Sequence, residues 1–249
     1  MTTFRMRGAL GAAFLATVVA GAAAQQHVPL SDQQIGAQVE HRLIEEGIRG
    51  VSVAVRERVV TLSGTVASAW ARSEAIEQAA KVDDVLRVVN VLTILRAEGD
   101  QALAEAVADK LRRYVFFSVF DDVDVGVSDG VTTLTGFVTM PYKAQAMVKL
   151  ASRVTGVQSV TDKLEVLPVS GFDDSIRYEI AVRIYNDPLF WNYAIQVNPP
   201  VHVIVRYGRV TLTGVVVSEV ERRKAEVIAR GVFGVLSVDN SLRLEGGGK

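Results

Sequence analysis

Aliphatic residues recur along this chain at two spacings, first every fourth residue and then every second residue. The spacing of four occurs at Ile35, Val39 and Leu43, at Leu103, Val107 and Leu111, and at Ile176, Ile180 and Ile184. The spacing of two follows at Val51, Val53 and Val55, at Val123, Val125 and Val127, and at Val201, Val203 and Val205. These spacings place side chains on one face of a helix and of a strand, respectively. Three helix–strand pairs are predicted, with Asp32, and Asp173 or Asp174, as helix N-caps.

The segment after each predicted strand has the features of a hairpin, a second helix and a last strand. Asp129-Gly130 and Tyr207-Gly208 accept the positive φ of a two-residue hairpin turn, whereas Glu57-Arg58 predicts that turn less strongly. Second helices are predicted over residues 67–81, 140–153 and 218–230, and last strands over residues 85–94, 157–166 and 235–244. The predicted order is helix, strand, strand, helix, strand.

One unit of about 70 residues is therefore used three times. Leucines at 62, 134 and 212 each stand two residues before the glycines Gly64, Gly136 and Gly214. Twenty residues later come Asp84, Gly156 and Gly234, and six further on Asn90, Asp162 and Asn240. We predict an α+β protein of three tandem domains, at residues 31–96, 100–168 and 173–245. Each is a small αββαβ unit in which two helices cover a three-stranded sheet, and neighbouring units cover part of the other face.

The repeated motifs resemble those of the BON domain family. The resemblance is carried by a V-T-L-S/T-G-x-V strand at residues 60–66, 132–138 and 210–216, and by a G-V-x-x-V-x-N/D ending. It covers nearly all of the chain after the first 30 residues, and Asp84 departs from the pattern where the other copies have Gly156 and Gly234. The resemblance implies binding of phospholipid or envelope surfaces and a role in envelope and osmotic stress. The glycines of both motifs are interpreted as structural residues, at a bulge or a close backbone approach.

The first 24 residues have the pattern of a cleavable signal peptide. Arg5 and Arg7 precede an apolar stretch at residues 10–19, and alanines at 22–24 offer a cleavage site. No later stretch is apolar for long enough to predict a transmembrane helix. The protein is therefore predicted to lie in the periplasm, and its lack of cysteine excludes disulfides and cysteine–zinc sites.

Charge and residue types argue against a nucleic-acid-binding protein and against an enzyme. A formal net charge of −1 lacks the basic excess of a nucleic-acid-binding protein. The three histidines, His27, His41 and His202, are far apart and have no ligand spacing, and no Gly-x-Ser-x-Gly motif is present. No catalytic residue, metal site or cofactor is predicted.

The connection between the first helix and the first strand is the variable part of the repeat. From the first apolar helix position to the repeat glycine it takes 29, 33 and 38 residues in the three copies. The added length carries aromatic residues, namely Tyr114, Phe116, Phe117 and Phe120 in the second copy and Leu189, Phe190, Trp191 and Tyr193 in the third. Such rings suit a lipid headgroup interface or a protein interface, and they equally suit the filling of small cores and of the gaps between repeats.

Nearby arginines extend the candidate contact surface. Arg206 and Arg209, with Arg183, could meet anionic headgroups, while Arg222-Arg223-Lys224 is interpreted as a solvated helix face. The sequence thus predicts a non-enzymatic periplasmic protein that binds anionic phospholipid surfaces or envelope proteins. The alternative is a periplasmic chaperone or protein-interaction scaffold, and the oligomeric state is left open.

Overall fold

Three αββαβ units make up the fold, as the sequence predicts. The structure is a computed structural model, and it describes residues 28–96 and 99–246. The predicted signal peptide and His27 lie outside the described residues.

The first repeat contains one hairpin and one crossover helix. Its elements are α1 (Asp32–Glu45), β1 (Val51–Arg56), β2 (Val59–Val66), α2 (Ala69–Ala80) and β3 (Arg87–Ile94). Strand β2 lies in the centre of the sheet, antiparallel to β1 and parallel to β3. The apolar faces of α1 and α2 cover one face of this sheet, with Ile35, Val39 and Leu43 fully or nearly fully buried.

The second repeat has the same order and the same register. Its elements are α3 (Asp100–Arg112), β4 (Asp122–Ser128), β5 (Val131–Val138), α4 (Pro141–Ser152) and β6 (Ser159–Val166). Val123 pairs with Gly136 just as Val51 pairs with Gly64. The unit is therefore repeated at the level of individual residue pairs.

The third repeat differs in its long connection and in its last strand. Its elements are α5 (Gly171–Tyr185), a 3-10 turn (Pro188–Phe190), α6 (Trp191–Ala194), β7 (Val201–Arg206), β8 (Arg209–Val216), α7 (Glu219–Arg230), β9 (Ser237–Asn240) and β10 (Arg243–Leu244). The predicted continuous last strand over residues 235–244 is wrong, because it is broken at residues 241–242 into β9 and β10. Both pieces pair with β8 in parallel.

An aspartate at the start of each first helix holds the hairpin turn of its repeat. The Asp32 carboxylate accepts hydrogen bonds from the backbone N–H groups of Glu57 (2.8 Å) and Arg58 (2.9 Å). Asp100 does the same for Asp129 and Gly130 (2.8 and 3.0 Å), and Asp173 for Tyr207 and Gly208 (2.8 and 2.9 Å). We call these three sets of bonds the aspartate–hairpin clamps.

The predicted aspartate N-caps are wrong. The residues at the N-cap positions are Ser31, Gly99 and Ser170, so Asp32 and Asp173 lie inside their helices, and Asp174 is not a cap either. The clamp also explains how Glu57 and Arg58 form the same turn as the glycine-containing copies, with φ values of 51° and 60°. Two charge-assisted bonds offset the strain of that left-handed conformation.

The repeat glycine is required by a close backbone approach. At Gly64, Gly136 and Gly214, φ is 114°, 114° and 110°. A Cβ atom there would lie 2.2, 2.2 and 1.7 Å from the carbonyl oxygens of Gly50, Asp122 and Pro200. No side chain fits at such distances, so glycine lets the central strand pass closely by the backbone at the start of the first strand. The turn before the last strand is also left-handed, at Asp84 (φ 65°), Gly156 (96°) and Gly234 (89°).

The asparagine or aspartate of the closing motif bonds a backbone amide. The side chains of Asn90, Asp162 and Asn240 accept the N–H of the residue two positions on, at 3.0, 2.9 and 3.4 Å. The first two of these amides lie on edge strands, and the third lies in the break between β9 and β10. The motif therefore satisfies a donor that no neighbouring strand reaches.

The first two repeats share one hydrophobic core, and the third has its own. At the contact between repeats one and two, Gly156 N–H donates to the Ala67 carbonyl (2.8 Å), and Ala69 N–H donates to the Val157 carbonyl (2.9 Å). Arg72 donates to the Gln158 carbonyl (3.3 Å). The N-terminus of α2 thereby docks on the turn between α4 and β6.

Replacing Asp173 with alanine should destabilise the third repeat because both turn amides lose their charged acceptor. We expect Asp173→Ala to lower the free energy of unfolding by about 2 kcal/mol more than Ser175→Ala, which changes an exposed residue of the same helix turn and leaves the clamp intact. The measurement is urea unfolding followed by Trp191 fluorescence in a Trp70→Phe background. Equal midpoints for the two variants would show that the clamp contributes no stability.

Candidate functional site

The aromatic connection of the second repeat, residues 113–121, is anchored by a buried ion pair. Asp121 is fully buried, and its carboxylate accepts a bond from Lys143 Nζ at 2.6 Å. It also accepts the N–H and hydroxyl of Ser118 and of Thr139, at 2.8 to 3.0 Å. Because all these donors converge on one carboxylate, the connection is fixed against β5 and α4.

One side of this connection forms the contact with the third repeat. Val203 of β7 donates its N–H to the Val119 carbonyl (2.7 Å), and Phe120 packs against the core of the third repeat. Phe117 lies with its ring centroid 5.5 Å from that of His202. His202 Nδ1 lies 2.6 Å from the Asp121 carbonyl oxygen, so this nitrogen carries the proton. Phe117 and Phe120 are therefore packing residues.

The other side of the connection is open to solvent. Phe116 is 56% exposed, and its ring meets Tyr114 and Tyr142 edge to face, at centroid distances of 5.6 and 6.0 Å. Val115 is exposed beside them. Burial, with Tyr142 and Asp121 as smaller contributors, raises the pKa of Tyr114, so its hydroxyl stays protonated. Sequence reasoning missed Tyr142, whose only signal is an aromatic residue directly after Pro141 at a helix start.

The connection of the third repeat places its aromatic residues in two environments. Phe190 is fully buried, and Tyr193 is buried with its hydroxyl donating to Glu221 (2.7 Å) and accepting from Val217 N–H (3.0 Å). Burial, followed by the bond to Glu221, raises the pKa of Tyr193. Phe190 and Tyr193 are core residues, so they do not belong to the candidate contact surface that the sequence predicted. The reason is that neighbouring positions in this short helical segment face opposite sides.

The remaining apolar residues of this connection are exposed. Trp191 is 65% exposed, and Leu189, Ile195 and Val197 are exposed as well. The Asn198 side chain donates to the carbonyl of Arg112, at the end of α3. This bond holds Asn198 of the third connection against the end of α3, where the second connection begins, although the two residues are 86 positions apart. We call the exposed and half-buried side chains of these connections and of Tyr142 the aromatic edge, comprising Tyr114, Val115, Phe116, Tyr142, Leu189, Trp191, Ile195 and Val197.

Two cations lie next to the aromatic edge without an anionic partner. Lys110 and Arg113 line a shallow cleft together with Tyr114 and Val115. Within the described residues, neither cation forms an ion pair, whereas Arg112 pairs with Asp109. This local excess of positive charge is suited to an anionic ligand.

The arginines singled out from the sequence lie elsewhere. Arg206 pairs with Glu165 (3.2 Å) and lies over the Phe137 ring, at the contact between repeats two and three. Arg209 is exposed at the start of β8. Arg183 pairs with Glu179 (2.7 Å). Thus Arg206 and Arg183 are already paired, and none of the three belongs to the aromatic edge.

The basic residues at positions 222–224 of α7 form ion pairs with nearby acidic residues. Arg222 and Arg223 both bond Glu219, at 2.7 and 2.9 Å, and Lys224 pairs with Asp187 at 3.1 Å. The bond from Arg222, then that from Arg223, lowers the pKa of Glu219 to about 2. The paired charges fit the predicted solvated helix face.

A polar cleft separates the sheets of repeats two and three. It is lined by Asp122, His202 and Arg243, among others. Burial raises the pKa of Asp122, against smaller opposing effects of Thr213, His202 and Arg243. Because this pKa lies above the unfolded value, protonated Asp122 favours the folded contact, and its contribution is lost as the pH rises through the folded-state pKa.

The described residues contain neither a metal-binding cluster nor a membrane-spanning helix. No three histidine or acidic side chains are grouped so that they could hold an ion. In the ranges 28–96 and 99–246, no helix is long and apolar enough to cross a bilayer. The chemistry offered by this surface is apolar contact and positive charge.

Comparison with known proteins gives one family. The model of the BON domain matches residues 31–96, 99–168 and 192–246. A relative, the osmotically-inducible protein Y of Escherichia coli K12, is 37% identical over 131 residues, which cover 49% of this chain and 61% of the relative. This chain therefore spans about three-fifths of the length of that protein. The family is one without known catalytic activity.

The solved structures that match this chain have low sequence identity to it and low TM-scores. The C-terminal domain of CdsD, a structural protein of the type III secretion system of Chlamydia trachomatis, is 14% identical with a TM-score of 0.25, and the alignment covers 87% of this chain and all of that one. The PrgH periplasmic domain is 13% identical with a TM-score of 0.23, over 83% of this chain and 99% of that one. Neither likeness is close enough to bear on function.

Removing the cation of the buried pair should loosen the aromatic edge. Lys143→Met preserves the length of the side chain but leaves the Asp121 charge buried with neutral donors only. We expect a loss of about 3 kcal/mol in unfolding free energy and faster amide exchange over residues 113–121. Lys149→Met, an exposed change on the same helix, is the control. Equal effects of the two substitutions would contradict the anchoring role of the pair.

Proposed function

The chain belongs to the BON domain family, and on this premise we propose that it is a non-enzymatic envelope protein that binds anionic phospholipid surfaces through its aromatic edge. The proposal places it in the periplasm, where it supports envelope integrity under osmotic stress. The name of its Escherichia coli relative, an osmotically-inducible protein, supports the stress role. Export by the predicted signal peptide, residues 1–24, is part of the same proposal.

The observation that carries the proposal is the exposure of aromatic and aliphatic side chains on two adjoining connections. Phe116 and Trp191 are each more than half exposed, although the transfer of such rings out of water is favourable. Tyr114, Tyr142 and Trp191 combine an apolar ring with a polar group, which is the chemistry favoured at the headgroup level of a membrane. The rings of Tyr114 and Tyr142 are held by backbone that the buried Asp121–Lys143 pair fixes, so little ordering of these two is needed on binding.

Positive charge beside the edge favours anionic over neutral lipid. Lys110 and Arg113 lie next to Tyr114 and Val115, where their charges can reach phosphate oxygens. Each basic residue near an anionic surface contributes about 1 kcal/mol, and salt screens this attraction. Binding should therefore need apolar contact and should weaken as the ionic strength rises.

We also propose that the third domain extends over residues 173–245, beyond the family match that begins at residue 192. The support is that Ile176, Ile180 and Ile184 of α5 lie in the core of that repeat. The aspartate–hairpin clamp of the repeat begins on the same helix, at Asp173.

A second candidate function is a periplasmic chaperone or protein-interaction scaffold. It is favoured by the outward face of the first sheet, where Ala54 and Val91 are exposed between serine and threonine side chains. An unfolded client could contact this mildly apolar face without any lipid. Suppressed aggregation of an unfolded outer-membrane protein, in the absence of lipid binding, is the result that would favour this function.

Substitutions on the aromatic edge should weaken binding to anionic vesicles. We expect Val115→Ser/Phe116→Ser, and separately Trp191→Ser, to weaken co-sedimentation with phosphatidylglycerol-containing vesicles by about tenfold or more, because exposed apolar area is removed. Lys110→Gln/Arg113→Gln should abolish the preference for anionic over neutral vesicles. All of these residues are exposed or half-exposed, so the fold should survive the changes.

Leu86→Ser is the matched control, because Leu86 is an exposed apolar residue of the first repeat, outside the aromatic edge. It should bind vesicles like the unaltered protein. Absence of binding by the unaltered protein at low salt, with both lipid compositions, would rule out the membrane function. Binding that Leu86→Ser weakens as much as Trp191→Ser would place the contact elsewhere.

A further inference from the structure

The contact between repeats one and two consists of two backbone–backbone hydrogen bonds, one arginine–backbone bond and one cation–π contact. The carbonyl of Ala67 and the N–H of Ala69 stand at the junction of β2 and α2, and they pair with the N–H of Gly156 and the carbonyl of Val157. Arg72 adds a bond to the Gln158 carbonyl. The guanidinium carbon of Arg153 lies over the Trp70 ring, 4.2 Å from the centroid of that ring. A strand–helix junction thus docks on the closing turn of the next repeat.

The second repeat lacks the groups needed to repeat this contact with the third. The position equivalent to Ala69 is Pro141, which has no N–H to donate. The position equivalent to Arg72 is Ala144. Repeats two and three therefore join differently, through the bonds that Val203 and His202 make to residues 119 and 121. Among the described residues, no strand–helix junction docks on the closing turn of the third repeat.

That turn, residues 233–236, is exposed and apolar. Phe233 is 92% exposed and Leu236 is 75% exposed, and the ring of Phe172 packs against Gly234 to form one wall. In the part of the chain that the structure describes, no hydrogen bond reaches the Gly234 N–H or the Val235 carbonyl. These are the groups that correspond to the Gly156 N–H and the Val157 carbonyl.

The junction of the third repeat, residues 217–222, is equally open and has the same backbone groups and arginine position as the junction of the first repeat. Glu219 supplies the N–H that Pro141 lacks, and Arg222 stands at the position of Arg72. Val217 and Val220 are exposed. Across the described residues, the Val217 carbonyl and the Glu219 N–H have no hydrogen-bond partner. One repeat thus carries both halves of a contact that the chain already makes once.

We propose that the junction of the third repeat docks on the closing turn of the third repeat in a second copy of this chain. The occupant is a second copy because the four unpaired backbone groups match those of the internal contact, and because Val217 and Val220 suit Phe233 and Leu236. The junction and the turn lie at opposite ends of α7, so the contact joins different surfaces of two copies and can extend head to tail. Lipid binding through the aromatic edge is not needed for it.

The test is sedimentation velocity of the purified protein from low to high micromolar concentration, without lipid. We expect concentration-dependent association. Glu219→Pro should weaken it by about tenfold, because it removes one backbone donor at a helix position that tolerates proline. Glu219→Ala keeps that N–H while losing the same ion pairs with Arg222 and Arg223, and it should associate like the unaltered protein. Leu236→Glu should prevent association from the other side of the contact.

Mixing separates this contact from other modes of association. Glu219→Pro retains the turn and Leu236→Glu retains the junction, so an equimolar mixture should form dimers and nothing larger. Circular dichroism and Trp191 fluorescence establish that each variant is folded. A monomeric unaltered protein at every concentration, unweakened association of folded Glu219→Pro, or a mixture without dimers would overturn the proposal.

Discussion

The repeat depends on one electrostatic constraint, the bonding of a helix-start carboxylate to the two amides of a hairpin turn. Asp32, Asp100 and Asp173 each accept both turn N–H groups at 2.8 to 3.0 Å. The bonds fix the start of the first helix against the far end of the hairpin, so the sheet and its covering helix form as one unit. They also stabilise left-handed turn residues that are not glycine, of which Glu57 and Arg58 are the clearest case.

The clamp fixes one end of the helix–hairpin unit, and the close backbone approach at the repeat glycine fixes the other end. The connection between the first helix and the first strand can therefore vary in length without disturbing the sheet. The second and third repeats use this freedom for connections that are partly core and partly surface. Phe120 and Phe190 fill core space, whereas Phe116 and Trp191 remain in contact with water. The bond from Asn198 to the Arg112 carbonyl joins the third connection to the end of α3, where the second connection begins. The candidate surface is therefore a product of tandem arrangement and belongs to no single repeat.

The periods of four and two, and the constant offsets around Gly64, Gly136 and Gly214, were enough to predict the three units. These spacings follow from the periodicity of helices and strands, which depends only on residues that are close in sequence. The role of Asp32 was not predictable from them, since its partners lie 25 and 26 residues away across a connection of variable length. Neighbouring residues such as Phe190 and Trp191 have the same chemistry in the sequence, and only the turn of the helix decides which is buried. Tyr142 joins the aromatic edge through a contact between elements, for which the sequence carries no periodic signal.

The central claim is that this edge enters the headgroup region of a membrane, and Trp191 offers a direct reporter of it. The measurement is quenching of Trp191 fluorescence, in a Trp70→Phe background, by anionic vesicles whose lipids carry bromine at defined depths. The account predicts quenching that is strongest for the shallowest bromine position and is lost at high salt. Unquenched Trp191 fluorescence under conditions in which the protein sediments with the vesicles would contradict it.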